Sequence, residues 1–178
     1  MALPFFTIGH STRPIPAFVE VLREAEVWLV ADVRTVPRSR ANPQYNIDAL
    51  AGSLAEHRIG YVHLAKLGGL RSRRRDAGES LNTFWENQSF RNYADYTATE
   101  SFREGLRELR ELGRARRCAV MCAEAVWWRC HRRIIADYLL VGGETVFHIL
   151  GPGQIEPAKL TPAAIEQPGG ILAYPAML

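Results

Sequence analysis

The stretch that decides the fold is VWLVADV, residues 27–33. Six of its seven residues are apolar. An apolar run this short, with no alternation, is the pattern of a strand covered on both faces, as in a parallel sheet. Upstream, Ile15, Phe18, Val19 and Leu22 recur at helical spacing, and PFFTI (4–8) reads as an earlier strand. Ser11 or Thr12 is the expected cap of that first helix. Downstream come a helix over about 47–57, the strand YVHLA (61–65) closed by Gly68 and Gly69, and helices around 90–97 and 100–113. The strand RCAVMCA (117–123), a helix over about 128–141 and the strand TVFHIL (145–150) complete the series. Strand–helix alternation implies a mainly parallel sheet with helices on both faces. The expected fold class is therefore α/β, an open three-layer α/β/α sandwich with about five strands, too few for a closed eight-stranded barrel.

The 178 residues fit one domain, read as residues 1–150. The segment 151–178, with five prolines, reads as a tail packed on the same domain. Within it TPAAIEQ is expected to form a short helix, with Thr161 as cap and Pro162 at the first position. The chain has no long apolar run, which argues against a membrane span, and no secretory signal at its start. Three cysteines do not make a disulfide framework, so reduced thiols and a cytoplasmic location are expected. The oligomeric state is not legible. Lys66 and Lys159 are the only lysines, and the rest of the positive charge is arginine. The loop RSRRRD carries Arg71, Arg73, Arg74 and Arg75 and is a candidate nucleic-acid contact, although an arginine-rich solvated surface is the simpler reading. Between Arg103 and Arg117, Glu104, Glu108 and Glu111 interleave with arginines as on a solvated, paired helix face.

Ligands of open parallel sheets bind beyond the carboxyl ends of the strands. There the chain places Gly9-His10-Ser11, then Asp32 and Arg34, then Lys66, Gly68 and Gly69, then Cys122 and Glu124. Cys130-His131-Arg132 opens the following helix. Glu124 and Asp32 are the acid/base candidates, with His10, His131 and Cys122 as further catalytic candidates. Gly9, Ser11, Arg34, Gly68, Gly69, Cys130 and Arg132 are candidates for holding substrate or an anion. The amides of residues 129–132 would do so from a helix start, with Arg34 or Arg132 as partner. Each residue also has a structural role open to it. Ser11 could only cap a helix, the glycines could only serve turns, Asp32 and Arg34 could pair with other charges, and His131 could be a core histidine. Cys122 as a phosphatase-like nucleophile is disfavoured, because six residues separate it from Arg129 and the loop lacks glycine. A metal site built on Cys122, Cys130, His131 and His10 lacks the close Cys-x-x-Cys pair usual for structural zinc. No metal and no cofactor are assigned.

The blocks TIGHST, ADVRTVPRSR, YVHLAKLGGLR, FRNYADY and MCAEAVWWRCHRRIIADYL resemble those of the domain of unknown function 488 (DUF488) family. The resemblance runs from Phe5 to the tail. It implies a bacterial or archaeal intracellular α/β protein whose family has no settled activity. It also implies motif positions at Gly9, His10, Ser11, Asp32, Arg34, Pro37, Tyr61, Leu67, Gly68, Gly69, Cys122, Glu124, Cys130, His131 and Arg132. Trp127-Trp128 departs from the smaller or charged residues usual there.

The expected function is an enzyme, a hydrolase or group transferase, acting on a phosphate-bearing substrate such as a nucleotide or nucleic acid. The alternatives are a non-catalytic nucleic-acid or nucleotide binding module, or a cysteine-dependent phosphatase-like or metal-binding protein using Cys122. Asp32 and Glu124 facing one cleft would separate the enzyme from the binding module.

Overall fold

The computed structural model describes residues 2–73 and 78–177. Strand β1 (Phe5–Gly9) leads through α1 (Ile15–Glu24) to β2 (Leu29–Asp32), then α2 (Ile47–Ala55) and β3 (Gly60–His63). Helices α3 (Gln88–Tyr96) and α4 (Glu100–Ala115) precede β4 (Cys118–Cys122). Helix α5 (Arg132–Val141), β5 (Val146–Gly151), β6 (Gln154–Pro157), β7 (Ile165–Gln167) and β8 (Ile171–Ala173) follow. The main sheet has the order β3-β2-β4-β1-β5-β6. Strands β1 to β5 are parallel, and β6 returns antiparallel along β5. The architecture is thus an α/β sandwich with a six-stranded, mostly parallel sheet.

The alternation of side chains along the strands fills two separate cores. Phe6, Ile8, Val30, Ala119 and Met121 pack against Phe18, Leu22, Leu50 and Leu54 of α1 and α2. Phe5, Leu29, Ala31, Cys118 and Val120 pack on the opposite face against Tyr93, Phe102, Leu109, Ile135 and Leu139 of α3, α4 and α5. Both faces of β1, β2 and β4 are buried throughout, which is why their sequences read as unbroken apolar runs.

Several local expectations need correction. The sheet has six strands and not five, because residues 154–157, read as tail, form β6. The segment TPAAIEQ does not form a helix: Ile165–Gln167 is β7, paired with β8 across a turn in which Gly169 and Gly170 take the left-handed φ values of 86° and 76°. Thr161 caps no helix; its amide donates to Asp137 of α5 and its hydroxyl accepts from Arg133 Nε, so the segment is tied down. Neither Ser11 nor Thr12 caps α1, which starts at Ile15 behind Pro14. The helix expected from residue 128 starts at Arg132, because Trp127–Arg129 make one 3-10 turn and Cys130 is extended. Among the described residues no helix is long and apolar enough to cross a membrane.

The connections leave the sheet in opposite directions at one place. From β2 the chain runs outward to β3 by way of α2, on one face. From β4 it crosses over β1 to β5 by way of α5, on the other face. Strands β2 and β4 are neighbours, so the segments after them part and leave a crevice between their carboxyl ends. This is the topological switch point, where open α/β sheets place their ligands.

Candidate functional site

A cavity of about 580 Å³ occupies that crevice. One wall is the segment after β2, with Arg34, Thr35, Val36 and Arg38. The other is the segment after β4, with Cys122, Ala123, Glu124, Arg129, Cys130 and His131. Gly69, Leu70, Asn87, Ser89 and Phe90 close the third side. Val36, Leu70 and Arg38 are exposed at its mouth, and so is Glu124.

Asp32 lies beneath this cavity and not in it. Its carboxylate is fully buried and receives Arg34 Nε at 2.9 Å and Nη2 at 2.7 Å, together with the Tyr61 hydroxyl. Arg34 also donates to the Tyr45 carbonyl (2.8 Å) and to His10 Nε2 (3.4 Å). His10 therefore carries its proton on Nδ1, which donates to the Ser11 carbonyl at 2.8 Å, and its ring stacks on Tyr45 at 4.1 Å. Burial, aided by the Arg34 charge, lowers the His10 pKa to about 4. Burial and the hydrogen bond to Asp32 likewise hold the Tyr61 phenol above its ordinary range. This cluster is an internally satisfied network of a buried ion pair and its supports. The two acid/base candidates, Asp32 and Glu124, do not share a cavity.

On the other face, Arg132 is fully enclosed. Nε donates to Thr7 Oγ1 (3.3 Å), Nη1 to the Glu124 carbonyl (2.6 Å) and to Cys122 Sγ, and Nη2 to the Ala125 carbonyl (3.2 Å). Arg132 thus shapes the β4–α5 segment from within. Of the four amides at 129–132, those of Arg129, Cys130 and Arg132 donate to Val126 O, Trp127 O and Cys130 Sγ, so they are not free to receive an anion. His131 donates from Nε2 to the Val33 carbonyl (2.8 Å), which ties the two walls together, and its Nδ1 accepts from Cys130 Sγ at 3.5 Å. Burial holds the His131 pKa below its ordinary value.

The glycines fit by close approach. A Cβ on Gly9 would stand 1.6 Å from the Glu124 carbonyl oxygen, and one on Gly69 would stand 2.4 Å from His131 Nδ1. Gly68 lies under Thr35, where an added Cβ would stand 2.7 Å from its Oγ1. Ser11 adopts a left-handed φ of 52°, and its amide donates to the Ala123 carbonyl, so the end of β1 is fastened to the end of β4. In the arginine loop, Arg71 lies 3.8 Å over the Tyr96 ring and donates to the Gly68 and Ala65 carbonyls. Arg74 and Arg75 lie outside the described residues. All three cysteines are free thiols, and among the described residues no group of three or more His, Cys, Asp and Glu side chains is placed to hold a metal.

Sequence reasoning missed Arg38 and Arg129 as cavity cations, and Tyr45 as the platform for His10. The block ADVRTVPRSR contains the signal for Arg38, which follows Arg34 around Pro37 into the crevice. Nothing in the sequence signals Tyr45, which a 3-10 turn at Pro43–Tyr45 brings under β1.

Fold and site together define an α/β protein with a basic, thiol-floored cleft at the switch point of its sheet. The chain belongs to the family described as Domain of unknown function DUF488, whose family model matches residues 14–139. No curated protein and no solved structure matches it.

Proposed function

We propose that the cavity is the active site of an enzyme, a hydrolase or group transferase acting on a phosphate-bearing substrate, with Glu124 as its single acid/base group; the two-carboxylate arrangement that would have set an enzyme apart from a binding module is absent, because Asp32 is paired with Arg34 outside the cavity. The observation that carries this reading is the sharing of one cavity by the Glu124 carboxylate and the Arg38 and Arg129 guanidiniums, which have no ion pair among the described residues. Planar guanidiniums suit phosphate oxygens, and a carboxylate at the same mouth is placed to move a proton on the leaving or attacking oxygen. Arg34 contributes position more than charge, since Asp32 already neutralises it. Asp32 accordingly acts as the support of the β2 wall. His131 fixes the opposite wall through Val33.

Turnover of a panel of nucleotides and phosphate esters tests the reading. Glu124→Gln should abolish turnover and leave the melting temperature unchanged, because the side chain is exposed. Arg38→Ala and Arg129→Ala should raise KM more than they lower kcat. Unchanged turnover in Glu124→Gln would remove its acid/base role. Failure of every panel member both to turn over and to raise the melting temperature would remove the phosphate reading.

A further inference from the structure

A second basic cavity, of about 440 Å³, lies between α4, α5 and the β7–β8 turn and shares no lining residue with the first. Arg103, Arg107, Arg110 and Arg114 line it, and among the described residues Glu166 is the only carboxylate that does. Their spacing of i, i+4, i+7 and i+11 puts all four on one face of α4. Glu104, Glu108 and Glu111 interleave with them in the sequence but lie further round the helix. Glu104 receives Lys66 at 2.6 Å, and among the described residues neither Glu108 nor Glu111 pairs with an arginine. The paired face expected from the sequence is thus split into a glutamate row and an arginine row. The ion pairs left to the arginines are long: Glu100 stands 3.8 Å from Arg103 and 4.0 Å from Arg107, and Glu144 stands 3.5 Å from Arg110. Exposed pairs of this kind contribute little. Arg110 donates to the Tyr138 carbonyl at 3.0 Å, and among the described residues no other hydrogen bond is made by any of the four guanidiniums. Glycines give the row its seat. A Cβ on Gly142 would stand 2.3 Å from Arg110 Nη2, and one on Gly169 would stand 3.8 Å from Arg103 Nη2.

We propose that this second cavity binds a compact polyanion, a small ligand carrying two or more linked phosphoryl groups. A guanidinium fork takes phosphate oxygens in pairs, and three forks with no hydrogen bond of their own suit more than one phosphoryl group. Phe102, Leu106 and Tyr138 line the same space as buried, apolar surface, so the charges meet on a poorly hydrated side. The Tyr138 hydroxyl is already engaged, donating to Thr97 Oγ1 and accepting the Leu172 amide, which leaves recognition to the arginines. Gly169 and Gly170 put no side chain across the opening. The volume is that of a small-ligand site. A nucleic-acid strand needs flat rings on which its bases can stack, and both aromatic rings of this lining are buried. The observations therefore favour a compact phosphate chain over a strand. The site involves neither Glu124 nor the first cavity, and no chemical step is assigned to it.

Inorganic tripolyphosphate, titrated calorimetrically into the full chain at low salt, is the probe. The titration is run on the Arg38→Ala/Arg129→Ala protein, so that the unpaired cations of the first cavity do not contribute. One equivalent should bind, about tenfold or more tighter than inorganic phosphate. Adding Arg107→Ala and Arg114→Ala should weaken it by about tenfold or more. Both side chains are exposed, so the melting temperature of the unliganded protein should stay unchanged. Adding Arg23→Ala and Arg116→Ala instead, which removes the same charge from other exposed positions, should weaken it less than about threefold. Equal weakening by the two pairs would overturn the proposal, as would tripolyphosphate no tighter than phosphate. So would a single-stranded oligonucleotide that outbinds tripolyphosphate and depends on Arg107 and Arg114, since the site would then belong to nucleic acid. The titration reads binding and not turnover, so its failure and failure of the phosphate-ester panel are distinguishable.

Discussion

Replacing Gly9 by alanine should unfold the protein on the order of 10 °C earlier, whereas the same replacement at Gly52 should stabilise it. At Gly9 the new Cβ meets the Glu124 carbonyl oxygen at 1.6 Å and the Ala125 Cα at 2.9 Å, both backbone atoms that cannot rotate aside. Overpacking of this kind costs about 1–3 kcal/mol. That carbonyl also accepts Arg132 Nη1 at 2.6 Å, and the loss of a hydrogen bond to a buried charge adds about 1.5–3 kcal/mol. Together they give about 2.5–6 kcal/mol, at roughly 2–4 °C per kcal/mol for a chain of this size. At Gly52, inside α2, the added Cβ meets nothing within 4 Å, and alanine should gain about 0.5–1 kcal/mol from its lower unfolded-state entropy. Thermal and urea unfolding of both variants decide the matter. A Gly9→Ala protein as stable as its parent, or two shifts of the same sign, would refute the close approach of β1 to the Glu124 backbone.

Asp32→Asn should cost about 3–5 kcal/mol in urea unfolding, because it leaves the Arg34 guanidinium buried without its counter-charge. Tyr61→Phe, which removes only a hydroxyl from the same carboxylate, should cost less, about 1.5–3 kcal/mol; equal losses would mean that the ion pair contributes nothing of its own. Stability should also fall as the pH drops from about 6.5 toward about 4. Burial lowers the folded pKa values of His10 to about 4 and of His148 to about 3, from 6.5, so in this window the unfolded chain binds protons that the folded chain refuses. Each histidine should cost about 2 kcal/mol between pH 7 and pH 5, and His148→Gln should remove about half of the loss; a melting temperature constant over that range would contradict the burial of both rings.

The sheet was legible because its strands are covered on both faces. VWLVADV and RCAVMCA carry that burial in their composition, and the five parallel strands lie within two residues of their expected bounds. Strand β6 was not legible, since an edge strand with mostly exposed side chains has no apolar pattern to display. The start of α5 was misplaced for a related reason. The spacing of Ile134, Ile135 and Tyr138 fixes the buried face of the helix, but it does not report that Cys130 is extended and that residues 127–129 turn separately. At the site, the i, i+2 spacing of Asp32 and Arg34 already allowed the pair found between them. The partition of the polar residues was not legible. His10, Asp32 and Arg34 close on one another over the α1/α2 core, while Cys122, Cys130 and Arg132 close over the other, and only the folded chain separates the two sets.

Strands β2 and β4 are direct neighbours, and each sends side chains into both hydrophobic cores. The hydrogen bond from His131 to the Val33 carbonyl then links the segments that follow them across the crevice. The two walls of the cavity therefore move as one body. A substitution beneath either wall is transmitted to the other, so the opening cannot be widened from one side alone. Selection for a different ligand size would have to act on both cores together, and a directed-evolution library aimed at that property has to vary the contacts of both.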